Sequence, residues 1–135
     1  QCVVLAMDAA LRLSPATIHE SSYEVVVQGG HKRTGIDALQ WAKIAVERGA
    51  GEILLTSLDR DGTGAGYDTQ LLKLISNAVD VPVIASGGAS SPQDLLHALQ
   101  AGAEAVLAAS IFHDQRYSIR DVKKTLAQNG IRVRL

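Results

Sequence analysis

The sequence predicts an α/β fold of parallel strands, each followed by a helix, amounting to half of a closed eight-stranded (βα)8 barrel. Three observations carry this. Short apolar strands alternate with amphipathic helical patterns four times over. The strands are apolar throughout, as expected when both faces are covered by helices or by a barrel interior. Each strand ends in polar residues or glycines, where such folds place their sites.

In chain order, the predicted strands are Cys2–Asp8, Glu52–Thr56, Val81–Ser86 and Ala105–Ala109. The predicted helices are Ile36–Arg48, Thr69–Val79, Pro92–Ala101 and Ile119–Gln128. In the first helix Leu39, Trp41, Ala42, Ile44 and Val46 supply an apolar stripe, and Gly49 stops it. The third opens with Ser91 as cap, Pro92 at the first helical position and Asp94 in the first turn. Residues 10–33 break the rhythm. Ser14-Pro15, Tyr23–Gln28 and Gly29-Gly30 read as an extended hairpin in the loop after the first strand.

The whole chain, 1–135, reads as one half-barrel domain with an internal repeat. Gly49–Ser57 returns as Gly102–Ser110, so units of two βα pairs cover roughly 36–79 and 91–128. Four parallel strands without closing partners leave two open edges and a bare concave face, so self-association that rebuilds a barrel is expected. The start at Gln1, straight into a strand, suggests a segment of something longer.

With 135 residues, 47% apolar and 20% charged, the composition is that of a soluble globular protein large enough for a core. A net charge of −1 gives no electrostatic case for nucleic acid or a membrane surface. No signal or spanning segment is apparent, and a cytoplasmic location is expected. Cys2 reads as a small core residue in a reducing compartment. His19, His31, His97 and His113 share no metal-ligand spacing, so no metal or cofactor is expected.

The stretch Ile53–Asp68 is the densest in chemistry. It holds Thr56, Asp59, Arg60, Asp61 and the glycines Gly62, Gly64 and Gly66. One aspartate is expected to pair with Arg60 while the other faces a pocket. The Asp-Xaa-Asp-Gly pattern lacks the later ligands of a calcium loop, and the glycine spacing is wrong for a dinucleotide site. Ser86-Gly87-Gly88 after the third strand and Ala109-Ser110 after the fourth offer backbone N–H groups and hydroxyls suited to a phosphate dianion. A tight turn is the simpler alternative for Gly87-Gly88. Asp8, where the first strand emerges, reads equally as an acid/base or as a satisfied turn-former. Glu52 lies at the other end of its strand, where stability is the usual role.

Ala6-Met-Asp-Ala9, Gly49–Ser57, Asp59-Arg-Asp-Gly-Thr63, Gly66-Tyr-Asp68, Pro82–Gly88 and Leu107–His113 together resemble the C-terminal half of the cyclase subunit of imidazole glycerol phosphate synthase, from histidine biosynthesis. The resemblance covers essentially the whole chain, and the Leu55–Thr63 run is its most specific part. The sister phosphoribosyl isomerase barrel shares the strand–Gly-Gly grip but not this run.

The resemblance implies a TIM-barrel lyase. With ammonia from a glutaminase partner, it would convert a phosphoribulosyl formimino aminoimidazole carboxamide ribonucleotide into imidazole glycerol phosphate and an aminoimidazole carboxamide ribotide. It implies Asp8 as one of two acid/base aspartates, and Thr56 and Asp61 as pocket residues. Ser86, Gly87, Gly88, Ala109 and Ser110 would grip one substrate phosphate, and Glu52 would belong to a charged ring where ammonia enters. The other aspartate and the second phosphate grip belong to the N-terminal half, and residues 11–22 match no part of the pattern. A half-barrel with little or no turnover alone is therefore expected, or else a non-catalytic phosphate-binding, self-assembling module.

Overall fold

Local sequence sets the elements, and a single six-stranded sheet collects them. In this computed structural model, which describes residues 3–134, the order is β1 (Val4–Leu11), β2 (Tyr23–Val27), β3 (Lys32–Asp37), α1 (Ala38–Glu47), β4 (Glu52–Ser57), α2 (Thr69–Ser76), β5 (Val83–Ser86), α3 (Pro92–Gln100), β6 (Ala105–Val106), α4 (Ser110–His113) and α5 (Ile119–Gln128). The reading of Cys2 falls outside the described residues.

The strand order is β3-β2-β1-β4-β5-β6. β1, β4, β5 and β6 run parallel, with helices as crossovers, and form an α/β arrangement consistent with part of a TIM barrel. The hairpin after the first strand is present as β2 and β3, but it does more than decorate a loop. β2 pairs antiparallel with β1 from Asp8↔Val26 to Leu11↔Tyr23, so the sheet is mixed. That pairing draws β1 on to Leu11, three residues past the expected end. It also covers half of an edge that was expected to be open. Residues Tyr23–Val26, Glu24 included, are buried, and their backbone groups need partners that β1 supplies.

Further boundaries move: α2 ends at Ser76 rather than Val79, and β5 begins at Val83 rather than Val81. Ile36 and Asp37 belong to β3, and α1 begins at Ala38 with Asp37 as its cap, accepting from the Gln40 N–H at 2.9 Å. The last strand shortens to Ala105–Val106, because β5 is its one neighbour among the described residues; a single further bond, Leu107 N–H to the Ala85 carbonyl, prolongs it. Ser91, Pro92 and Asp94 cap α3 as expected, and Ser118 with Asp121 forms a second capping box at α5.

Burial alternates along the parallel strands rather than covering both faces. Met7, Ile53, Leu55, Val83 and Ala85 pack on the helices with Ala42, Leu71, Leu72, Ile75, Leu95 and Leu96. The opposite face carries Val4, Ala6, Asp8, Leu54, Thr56, Ile84 and Ser86, each half-buried or exposed. This is the face that a closed barrel turns inward. Among the described residues no helix is long and apolar enough to cross a membrane.

Candidate functional site

The strand register lays the first part of the site. Asp8 is the Cα partner of Thr56, and Thr56 is the partner of Ser86. The three side chains therefore form one row across β1, β4 and β5 on the open face. Neighbouring strands lie about 4.8 Å apart, so Asp8 and Ser86 are separated by roughly 10 Å. Glu52 shares this face at the far, N-terminal end of β4, beside Val4.

The second part is a cleft of about 500 Å³ at the C-terminal ends of β5 and β6. Asp61, Ser86, Gly87, Gly88, Ala109 and Ser110 all line it, with Thr63, Ser90, Asp114 and Arg116 among the others. Six of the nine residues singled out in the sequence thus meet in one cleft. Asp8 and Thr56 stand in the adjoining row, and Glu52 lies at the opposite end.

Close backbone approach builds the cleft floor. Gly87 and Gly88 are buried, with φ of +96° and +97°. A β-carbon on Gly87 would stand 2.8 Å from the Ser57 carbonyl, and one on Gly88 would collide with the Gly66 carbonyl. Gly66 donates its N–H to the Gly88 carbonyl at 2.8 Å, which ties the loop after β4 to the turn after β5. Among the described residues, the N–H groups of Gly87, Gly88 and Ser110 donate to no protein acceptor. Unspent N–H groups on residues that line a cleft suit an anion.

The loop Leu58–Tyr67 is held by bonds that sequence reasoning did not anticipate. Neither aspartate pairs with Arg60, whose guanidinium instead donates to the Ala65 carbonyl at 3.2 Å. Asp59 accepts the Leu11 N–H at 2.7 Å and so clasps the end of β1, which leaves Asp61 on the cleft.

Beneath the loop, Asp68 is buried and accepts from Tyr23 Oη, Ser57 Oγ and the Leu71 N–H. Burial first, and the Asp68 charge second, push the Tyr23 phenol up to about 12. Tyr67 donates to the Leu107 carbonyl at 2.7 Å, and burial raises its phenol too. Asp68 was legible as a helix cap, since it precedes the apolar run from Thr69.

A similar hub anchors Arg12, Glu20 and Ser21 within residues 11–22, the segment without a recognised pattern. Asp37 accepts from Ser21 Oγ at 2.7 Å and from Arg12 at 3.4 Å, while Arg12 also reaches Glu20 and the Ser21 carbonyl.

Parallel strands on one side of helices, with carboxylate and hydroxyl in a row and an amide-lined cleft at the strand ends, define a barrel-type unit with its polar site at the C-terminal rim. The chain belongs to the histidine biosynthesis protein family, whose model matches residues 1–118. It is 52% identical over 136 residues to imidazole glycerol phosphate synthase subunit HisF from each of two strains of Dehalococcoides mccartyi. Each alignment takes in 100% of this chain and 51% of the relative, so the chain spans about half the length of the curated relatives it matches.

Proposed function

We propose that this chain forms half of the cyclase barrel of an imidazole glycerol phosphate synthase and carries one of its two acid/base aspartates. The observation that carries the proposal is the row Asp8–Thr56–Ser86, running in register toward the Gly87–Gly88 cleft. In this reading one phosphate of the ribonucleotide sits against Ser86, Gly87, Gly88, Ala109 and Ser110. Its sugar chain then runs over Thr56 and Asp61 to Asp8. Anchoring a remote phosphate fixes the reacting atoms, so the positioning is supplied by binding. Asp8, on a rigid strand rather than a loop, exchanges a proton with the reacting chain as the imidazole ring closes. Glu52, at the other end of the same sheet face, belongs to the rim where ammonia arrives from a glutaminase subunit. The activity is that of a cytoplasmic enzyme of amino-acid biosynthesis.

The 135-residue chain by itself is proposed to bind phosphate, to self-associate through the open sheet face and to turn over slowly. Loss of one partner of an acid/base pair costs about 10²- to 10⁴-fold. Mixing the chain with a complementing N-terminal half tests the reading. Ammonia-dependent turnover should appear in the mixture and vanish with Asp8→Asn, while phosphate binding survives. Turnover that persists with Asp8→Asn would overturn the role of Asp8. A mixture that binds phosphate but never turns over would favour a non-catalytic phosphate-binding module.

A further inference from the structure

Asp114 and Arg116 line the cleft, and the proposed reaction uses neither. Among the described residues lining it, Arg116 is the one cation, against the carboxylates of Asp61 and Asp114. Its place on the wall is set by the backbone. Asp114 closes α4 through its N–H to the Ser110 carbonyl at 2.8 Å. Gln115 then takes a left-handed φ of +55°, which reverses the chain. The N–H groups of Arg116 and Tyr117 both return to the carbonyl of Ile111, which is fully buried.

The backbone beneath Arg116 is thus pinned while its side chain is 58% exposed. One contact occupies it, Nη2 to Asp114 Oδ2 at 3.1 Å. An exposed pair of this kind is weakly held and screened by salt.

We infer that Arg116 is the cationic contact for phosphate in this cleft, and that Asp114 holds its guanidinium until an anion competes for it. This rests on the phosphate reading above and adds to it a residue and an exchange. Backbone N–H groups alone would have to seat a dianion beside two carboxylates. The planar guanidinium can meet two phosphate oxygens at once, and phosphate carries more charge than the single carboxylate it displaces. Asp114, itself 49% exposed, returns to water at little cost when the pair opens.

Titrating the full chain with inorganic phosphate, followed by calorimetry and by the amide resonances of Gly87 and Gly88, tests the exchange. Arg116→Gln should weaken binding about tenfold and flatten its salt dependence, and Arg116→Lys should recover only part. Asp114→Asn should tighten binding about threefold, and the gain should vanish in the double variant with Arg116→Gln. Parent-like binding by Arg116→Gln would overturn the inference alone. So would an equal gain from Asp114→Asn without Arg116, since Asp114 would then act only by repulsion. Should the parent amides of Gly87 and Gly88 ignore phosphate, the phosphate reading falls and this inference with it.

Discussion

Tyr23 donates its phenolic hydrogen to Oδ1 of Asp68 across 3.1 Å, and this bond joins the hairpin to the N-cap of α2. Asp68 also accepts from Ser57 and from the Leu71 N–H, so strand, hairpin and helix meet on one carboxylate. Tyr23→Phe should cost about 1–2 kcal/mol, read as a lower urea midpoint at neutral pH.

The same bond sets an alkaline limit. The Tyr23 phenol moves from its ordinary 10.0 to about 12 on folding. A raised folded pKa gives stability that is complete below pH 10 and is lost as pH climbs toward 12. Tyr67 is raised as well and adds to the loss. Urea midpoints should be flat with respect to these phenols up to about pH 10 and decline above it. Tyr23→Phe should make that decline shallower, and an unchanged slope would remove the buried phenol from the explanation.

At the acid end the carboxylates of Asp37 and Asp94 act in the opposite sense. Burial pushes each up, but hydrogen bonds outweigh it: from the Gln40 N–H and Ser21 for Asp37, and from Ser90 and Ser91 for Asp94. Both therefore sit below their ordinary 3.8. The stability they supply is present above that value and drains away as pH falls through the folded pKa. Asp37→Asn should flatten the acid limb and destabilise by about 2–4 kcal/mol, since Arg12 keeps only Glu20 as an ionic partner. Acid titration of the near-ultraviolet circular dichroism checks both.

Two glycine substitutions separate close approach from backbone strain. Gly62 has φ of +74° and open space around its would-be β-carbon, so Gly62→Ala should cost only about 1–2 kcal/mol. Gly88→Ala adds a collision with the Gly66 carbonyl and 3.0 Å contacts to Arg60. It should cost at least twice as much and abolish phosphate binding. Paired urea and phosphate titrations distinguish the two.

The open sheet face predicts assembly. Val4 is 48% exposed on the same face as Leu54 and Ile84. Val4→Lys should shift sedimentation toward the monomer, with about a tenfold weaker association constant.

Much of this was legible in the sequence because local chemistry decides it. Ile119–Gln128 and Pro92 onward are helices whose caps are written in Ser118 and Ser91. Ser86, Gly87, Gly88 and Ser110 could be grouped because strand ends in a parallel sheet share one rim. What escaped depends on partners distant in the chain. β1 extends to Leu11 because β2 pairs with it, and Asp59 clasps Leu11 across 48 positions instead of its neighbour Arg60. The sequence reading puts Asp37 inside a helix and does not single out Asp68; packing shows that each caps a helix and also collects bonds from a remote loop or strand.

The hairpin has one further consequence. β2 occupies the outer edge of β1 from Asp8 to Leu11 and, among the described residues, leaves Val4–Met7 without a neighbour on that side. Any strand that docks there finds a berth of four residues, about 13 Å long, closed at Asp8. The hairpin is thus a ruler. It fixes how far an incoming strand can slide, and so which of that strand's residues arrive level with Asp8.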